Sequence, residues 1–162
     1  MNLRVEDFFI LLFLGSGVVA CLFSAAAISF RKEGNAQANL LLAVLLFITA
    51  LSVLNTFMAL SGILNQFQHL YFIPIIFTFA IGPLFYLFIK TKTKPSFRLS
   101  WRDSLHFIPA TFQAGFYLTV GFRSAEYKSM IWRTLYGPYL QYIDEVGFLV
   151  ITAAYLYAGY LL

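Results

Sequence analysis

Gly82-Pro83-Leu84-Phe85-Tyr86-Leu87-Phe88-Ile89-Lys90 opens the stretch that decides the fold. It continues through Lys92, Lys94 and Arg98 and closes on Trp101-Arg102-Asp103-Ser104-Leu105-His106-Phe107-Ile108-Pro109. An apolar segment runs into five positive charges, and a second apolar segment starts just beyond them. Lys and Arg beside a hydrophobic span hold their loop on the cytoplasmic side of a bilayer. The junction therefore orients everything on either side of it.

Upstream, residues 34–89 contain no Asp, Glu, Lys or Arg. The whole chain is 60% hydrophobic and only 11% charged, against about 25% charged residues in a soluble domain. Apolar runs of about 18 residues or more read as membrane spans. The expected fold is an all-α polytopic membrane helix bundle, a single membrane domain over residues 1–162. The spans fall at about 8–30, 39–64, 70–89, 104–122 and 139–162, with an interfacial helix at about 125–136.

The individual segments carry their own signals. Residues 8–30 exceed a signal-peptide core of about 7–15 residues and end in Arg31-Lys32, so a retained span is expected. Gly17, Cys21, Ser24 and Ala25 make a thin face on it, suited either to packing in the bundle or to a homodimer contact. In span two, Ser52, Asn55 and Thr56 share a face that should turn inward and bond across helices. Pro74 and Gly82-Pro83 interrupt span three, and a kink is expected at Gly82 and Pro83. Lys94-Pro95-Ser96 reads as a turn, Asp103 or Ser104 as the cap of span four, and Gly137-Pro138 as the end of the interfacial helix.

The charges divide unevenly. Arg31, Lys32 and the basic loop Lys90, Lys92, Lys94, Arg98 and Arg102 fall on one side. Arg4, Arg123, Lys128 and Arg133 fall on the other. The positive-inside rule places the N-terminus outside and the basic loop in the cytoplasm. The formal net charge of +4 is thus a matter of orientation rather than of nucleic-acid binding. A lone cysteine, Cys21, excludes an intrachain disulfide and a thiolate metal cluster.

Chemistry-bearing residues are few. Asn55, His106, Asp144 and Glu145 are the candidates for a polar intramembrane or signal-sensing site. Ionisable groups at membrane depth are functional by default, although Asp144 and Glu145 also suit the outer interface, with Arg123 and Arg133 as partners. His106 suits a capping or interface role, and His69 lies near the opposite face. No catalytic triad, phosphate loop or metal motif occurs. The expectation is no enzyme, no metal and no cofactor.

The stretch from Gly82 to Pro109 also resembles a recurring block in the N-terminal membrane region of AraC-type helix-turn-helix transcriptional regulators of Bacteroidota. Gly34-Asn35, Ala38-Asn39-Leu40-Leu41-Leu42-Ala43 and Ser124-Ala125-Glu126-Tyr127-Lys128 agree with it. The resemblance covers roughly residues 8–130. It implies a sensory or anchoring membrane domain in the bacterial cytoplasmic (inner) membrane, coupled to a cytoplasmic DNA-binding domain absent from these residues. DNA would be a partner only through that domain. The uncharged ending Tyr160-Leu161-Leu162 leads us to expect a chain cut short before it. Two rival readings come from other classes: a small transporter or channel subunit, and a structural membrane partner.

Overall fold

The computed structural model describes residues 5–94 and 96–162, and among these there are helices, turns and irregular segments but no strand. Arg4 and Pro95, used above for topology and for a turn, lie outside the described residues. Helix α1 spans Val5–Ser29 and α2 spans Ala36–Leu60. Each has 25 residues and contains an 18-residue stretch of mean hydropathy 2.4, long and apolar enough to cross a membrane. Their length of about 37 Å exceeds the roughly 30 Å of a hydrocarbon core.

The turn between them is built by short polar contacts. The Asn35 side chain accepts the backbone N–H groups of Gln37 and Ala38 at 3.0 and 3.2 Å. That cap starts α2 at Ala36, three residues ahead of the expected Asn39. Asn39 Nδ2 donates to the Glu33 carbonyl at 2.9 Å, which ties the turn to the helix. On α1 the buried residues are Val18 and Ala25. A Cβ built on Gly17 would meet nothing within 4 Å, so the thin face is only partly used.

Beyond α2, Gly62 takes a left-handed φ of 77° and leads into the short α3, Ile63–Gln66. Span three is then not one kinked helix. A 3-10 turn at Gln68–Leu70, irregular backbone through Phe77, and a second 3-10 turn at Thr78–Ala80 precede α4, Ile81–Thr93. Gly82 and Pro83 sit in the first turn of α4 instead of inside a helix. Proline lacks only an N–H that the first turn leaves unbonded anyway, so it starts this helix and does not bend it.

The basic loop leads to a 3-10 helix, Trp101–Phe107, and then to α5, Ile108–Gly121. The cap here is Ser100, not Asp103 or Ser104. Asp103 Oδ2 accepts the Ser100 N–H at 2.8 Å and its hydroxyl at 3.0 Å. Pro109 therefore lies in the opening turn of α5. The expected break at Gly137-Pro138 is also absent. Helix α6, Ala125–Ile131, widens into a π-helix over Trp132–Leu140 and passes directly into α7, Gln141–Tyr160. A wider turn is one way for a helix to absorb a proline.

Close approaches give the helix directions. Gly147 faces Phe79, Gly82 faces Ile151, Thr152 and Tyr155, and Gly159 faces Ile89. Residue numbers rise together, so α4 and α7 run parallel. His106 bonds Tyr155 and Tyr117 bonds Asp144, so the segment ending in α5 runs antiparallel to α7. One core joins Leu41, Leu45, Ala80, Leu84, Leu87 and Ala110. A second joins Leu64, Tyr71, Phe72, Tyr117, Val120 and Tyr136.

The chain exposes 10411 Å². A soluble globule of its 18.4 kDa would expose about 8,200 Å². Much of the outer surface is apolar: Phe13, Phe23, Phe112, Leu149 and Val150 all point outward. Such a continuous apolar exterior suits contact with lipid or another apolar partner.

Candidate functional site

The second core borders a cavity of about 670 Å³. Its walls come from the C-terminal half of α2, the irregular segment before α4, α5, the π-helix and the start of α7. Asn55, Asp144 and Glu145 all line it. Three residues singled out separately in the sequence thus share one space. His106 does not join them; its Nδ1 lies 2.9 Å from the Tyr155 hydroxyl, beside the Tyr86 ring at 5.7 Å.

Asp144 is the polar centre. Tyr136 donates to its Oδ2 at 2.9 Å, and Tyr117 lies 3.3 Å from the same oxygen. The two tyrosine hydroxyls are 2.6 Å apart. Tyr117 is among the most buried side chains, only 2% exposed. Buried phenols must place their O–H groups on acceptors, and a carboxylate is the strongest available. Glu145 is exposed and accepts Gln141 Nε2 at 2.9 Å. Among the described residues no ion pair joins Asp144 or Glu145 to Arg123 or Arg133, the partners expected from sequence.

Aromatic rings form the wall next to these carboxylates. Tyr71 and Trp132 stack with centroids 5.0 Å apart and planes 2° from parallel. Trp132 continues the stack onto Tyr136 at 5.2 Å. Phe72 meets Tyr136 edge-on at 5.2 Å and 89°. Phe72 has a positive φ of 56°, which costs a non-glycine residue about 1–2 kcal/mol. Its ring contacts hold it there, and Gly121 makes room: a Cβ on Gly121 would collide with the Phe72 carbonyl oxygen.

Gln113 ties the irregular segment to α5. Its Oε1 accepts the Phe79 N–H at 3.3 Å and its Nε2 donates to the Thr78 hydroxyl at 2.9 Å. Non-helical backbone packed away from water needs such partners. The polar face of α2 behaves differently from expectation. Ser52 bonds back to the Ile48 carbonyl and Thr56 to that of Ser52, which satisfies the hydroxyls within the helix.

The basic loop lies at the other end of α4. Lys90 Nζ is 3.4 Å from Asp103 Oδ1 and 4.2 Å from the Phe97 ring centroid. Burial alone would raise the Asp103 pKa, but the Ser100 hydrogen bonds and the Lys90 charge outweigh it and hold the carboxyl below its ordinary range. Lys92, Lys94, Arg98 and Arg102 stay exposed. Lys128, placed by sequence on an interfacial helix, is buried; its Nζ donates to the His69 carbonyl at 2.7 Å. Burial pushes its ammonium below the usual lysine range.

Sequence reasoning missed Tyr117, Tyr136, Tyr71, Phe72 and Trp132. Their spacing follows no motif, and aromatic residues in membrane sequences read first as interface anchors. Among the described residues no group of three or more His, Cys, Asp or Glu is arranged to hold a metal ion. Compared with known proteins, the chain matches no family model, no curated protein and no solved structure.

Proposed function

We propose that the chain is a five-pass membrane domain, with its N-terminus outside, that senses a ligand in the cavity around Asp144 for an attached transcriptional output. The observation that carries this is the Tyr117–Tyr136–Asp144 cluster, a hydrogen-bonded carboxylate on the last helix facing an aromatic cavity. A carboxylate at membrane depth is costly unless a function retains it. The alternating helix directions suit five passes, and the resemblance of residues 8–130 to AraC-type membrane regions supports the coupling. In this orientation the cavity lies in the outer half of the bilayer, and α7 carries the signal inward. Parallel packing of α4 on α7 makes the two helices one lever. Its inner end lies beside Lys90, Asp103 and the basic loop, where a cytoplasmic domain has access to it. Lipid is the constant partner, and DNA is reached only through that further domain.

The test compares cells carrying the complete wild-type gene product with cells carrying Asp144→Asn. Tagged protein should enrich specific promoter DNA, and the substitution should change transcription from those promoters. Absence of any enriched DNA would remove the regulatory reading.

A second reading is a small transporter or channel subunit. The broken backbone between Leu70 and Ile81 lines the cavity, as discontinuous helices do in transporters. Ligand flux into proteoliposomes without any DNA enrichment would favour it.

A further inference from the structure

We infer that the cavity binds a small organic ammonium ion carrying an apolar body. This rests on the membrane-sensor reading for its consequence, while its own support is the lining of the cavity. The volume of about 670 Å³ lies within the roughly 300–1,000 Å³ of small-molecule sites. Six aromatic residues line it: Tyr71, Phe72, Tyr117, Trp132, Tyr136 and Phe148. Ring faces carry negative potential, and several rings around one space are the arrangement that recognises alkylated ammonium groups.

Two carboxyl groups border the same space, and among the described residues no Lys or Arg forms an ion pair with either. The donors that do reach them, phenols and side-chain amides, are uncharged. A negative charge held among rings and apolar side chains is stabilised by a counter-charge. The described residues place none at the site, so the ligand is the source. Val53, Ile76, Ile81 and Phe148 also line it and offer an apolar surface to the ligand's body. An anion would meet Asp144 and Glu145 directly, and a neutral hydrocarbon would leave the half-buried Asp144 without a counter-charge.

The test uses the whole chain in detergent micelles with Trp101→Phe, which leaves Trp132 as the sole indole. The probes are benzyltrimethylammonium and neopentylbenzene, its uncharged carbon isostere. Trp132 emission should change saturably with the ammonium and at least about tenfold more weakly with the hydrocarbon. Asp144→Asn and Tyr71→Leu should each weaken ammonium binding by about tenfold.

Equal affinity for the two probes would overturn the inference, as would undiminished binding to a folded Asp144→Asn protein. Saturation by potassium or sodium chloride at the same affinity would overturn it too, since the site would then take a bare inorganic cation. If Asp144→Asn does not fold, the probe pair on the unsubstituted site still decides. Binding in micelles with no transcriptional response in cells would leave the ammonium site and remove the sensor. A transcriptional dependence on Asp144 with no binding of either probe would remove the ammonium site and leave the sensor.

Discussion

Tyr136 donates a 2.9 Å hydrogen bond to Asp144, eight residues further along the same continuous helical segment. At 3.6 residues per turn, eight residues leave two side chains about 80° apart. The π-helix over Trp132–Leu140 is wider, and it takes up that angle. Asp144 therefore meets a phenol from its own segment as well as Tyr117 from α5.

Replacing Tyr136 with Phe removes this donor and leaves the carboxylate to Tyr117. Hydrogen bonds to charged groups contribute about 1.5–3 kcal/mol. Tyr136→Phe should lower the unfolding free energy by roughly that amount, measured by thermal denaturation in micelles. The ring remains, so helix content by circular dichroism should not change. An unchanged melting temperature would show that the bond is not made.

Much of this cluster was hidden in the sequence, and the reason is geometric. The first two helices were legible because one uninterrupted apolar run ends at Arg31-Lys32 and the next begins near Asn39; the Asn35 cap that starts α2 earlier was not read. Asp144, Glu145 and Asn55 stood out as polar residues in apolar surroundings. Their partners did not, because Tyr117 and Tyr136 come from different elements and are 19 residues apart. Gly137-Pro138 read as a helix end, since sequence rules carry no signal for a π-helix that accommodates proline. Span three read as one helix because its hydropathy is continuous. The Gln113 contacts that support its broken backbone lie 34 and 35 residues away.

Gly121 is the residue that tolerates the unusual conformation of Phe72. A methyl group there would press on the Phe72 carbonyl oxygen, a backbone atom that cannot rotate away. Alanine would otherwise favour the helix by about 1 kcal/mol. Overpacking costs about 1–3 kcal/mol, and with backbone as the obstacle the cost wins. Gly121→Ala should lower the melting temperature and shift Trp132 emission, because Phe72 packs on Trp132 with centroids 6.0 Å apart.

Gly82 serves the α4–α7 seam. A Cβ there would lie 3.1 Å from the Tyr155 ring and 3.3 Å from both the Ile151 carbonyl oxygen and the Thr152 Cα. Gly82→Val should destabilise the fold by about 1–3 kcal/mol. It should also uncouple the cavity from the basic loop: ligand should protect residues 96–100 of the wild type from protease, and the variant should lose that protection. Protection retained at wild-type level would separate the seam from signalling.

Asp103 gives a pH prediction. Its folded-state pKa lies below the unfolded value, so its contribution is present above the unfolded pKa and is lost as pH falls through the folded one. The window lies below about pH 4. Asp103→Asn should cost about 1 kcal/mol at neutral pH, the typical worth of a cap. It should also flatten the acid limb of a stability–pH curve measured by urea denaturation. An acid limb identical to wild type would contradict this.

The outward position of the cavity follows from how the chain threads the membrane, and site-directed labelling tests that directly. Cys21 is the only cysteine, so Cys21→Ser gives a clean background for single substitutions at Glu33, Gln66, Lys94 and Glu126. These positions are exposed and lie in the four successive connections between the proposed spans. In intact spheroplasts a membrane-impermeant maleimide should label Gln66→Cys and Glu126→Cys. It should label Glu33→Cys and Lys94→Cys only after permeabilisation. Labelling of Lys94→Cys in intact spheroplasts, or equal labelling of all four, would contradict the five-pass arrangement and the outward-facing cavity with it.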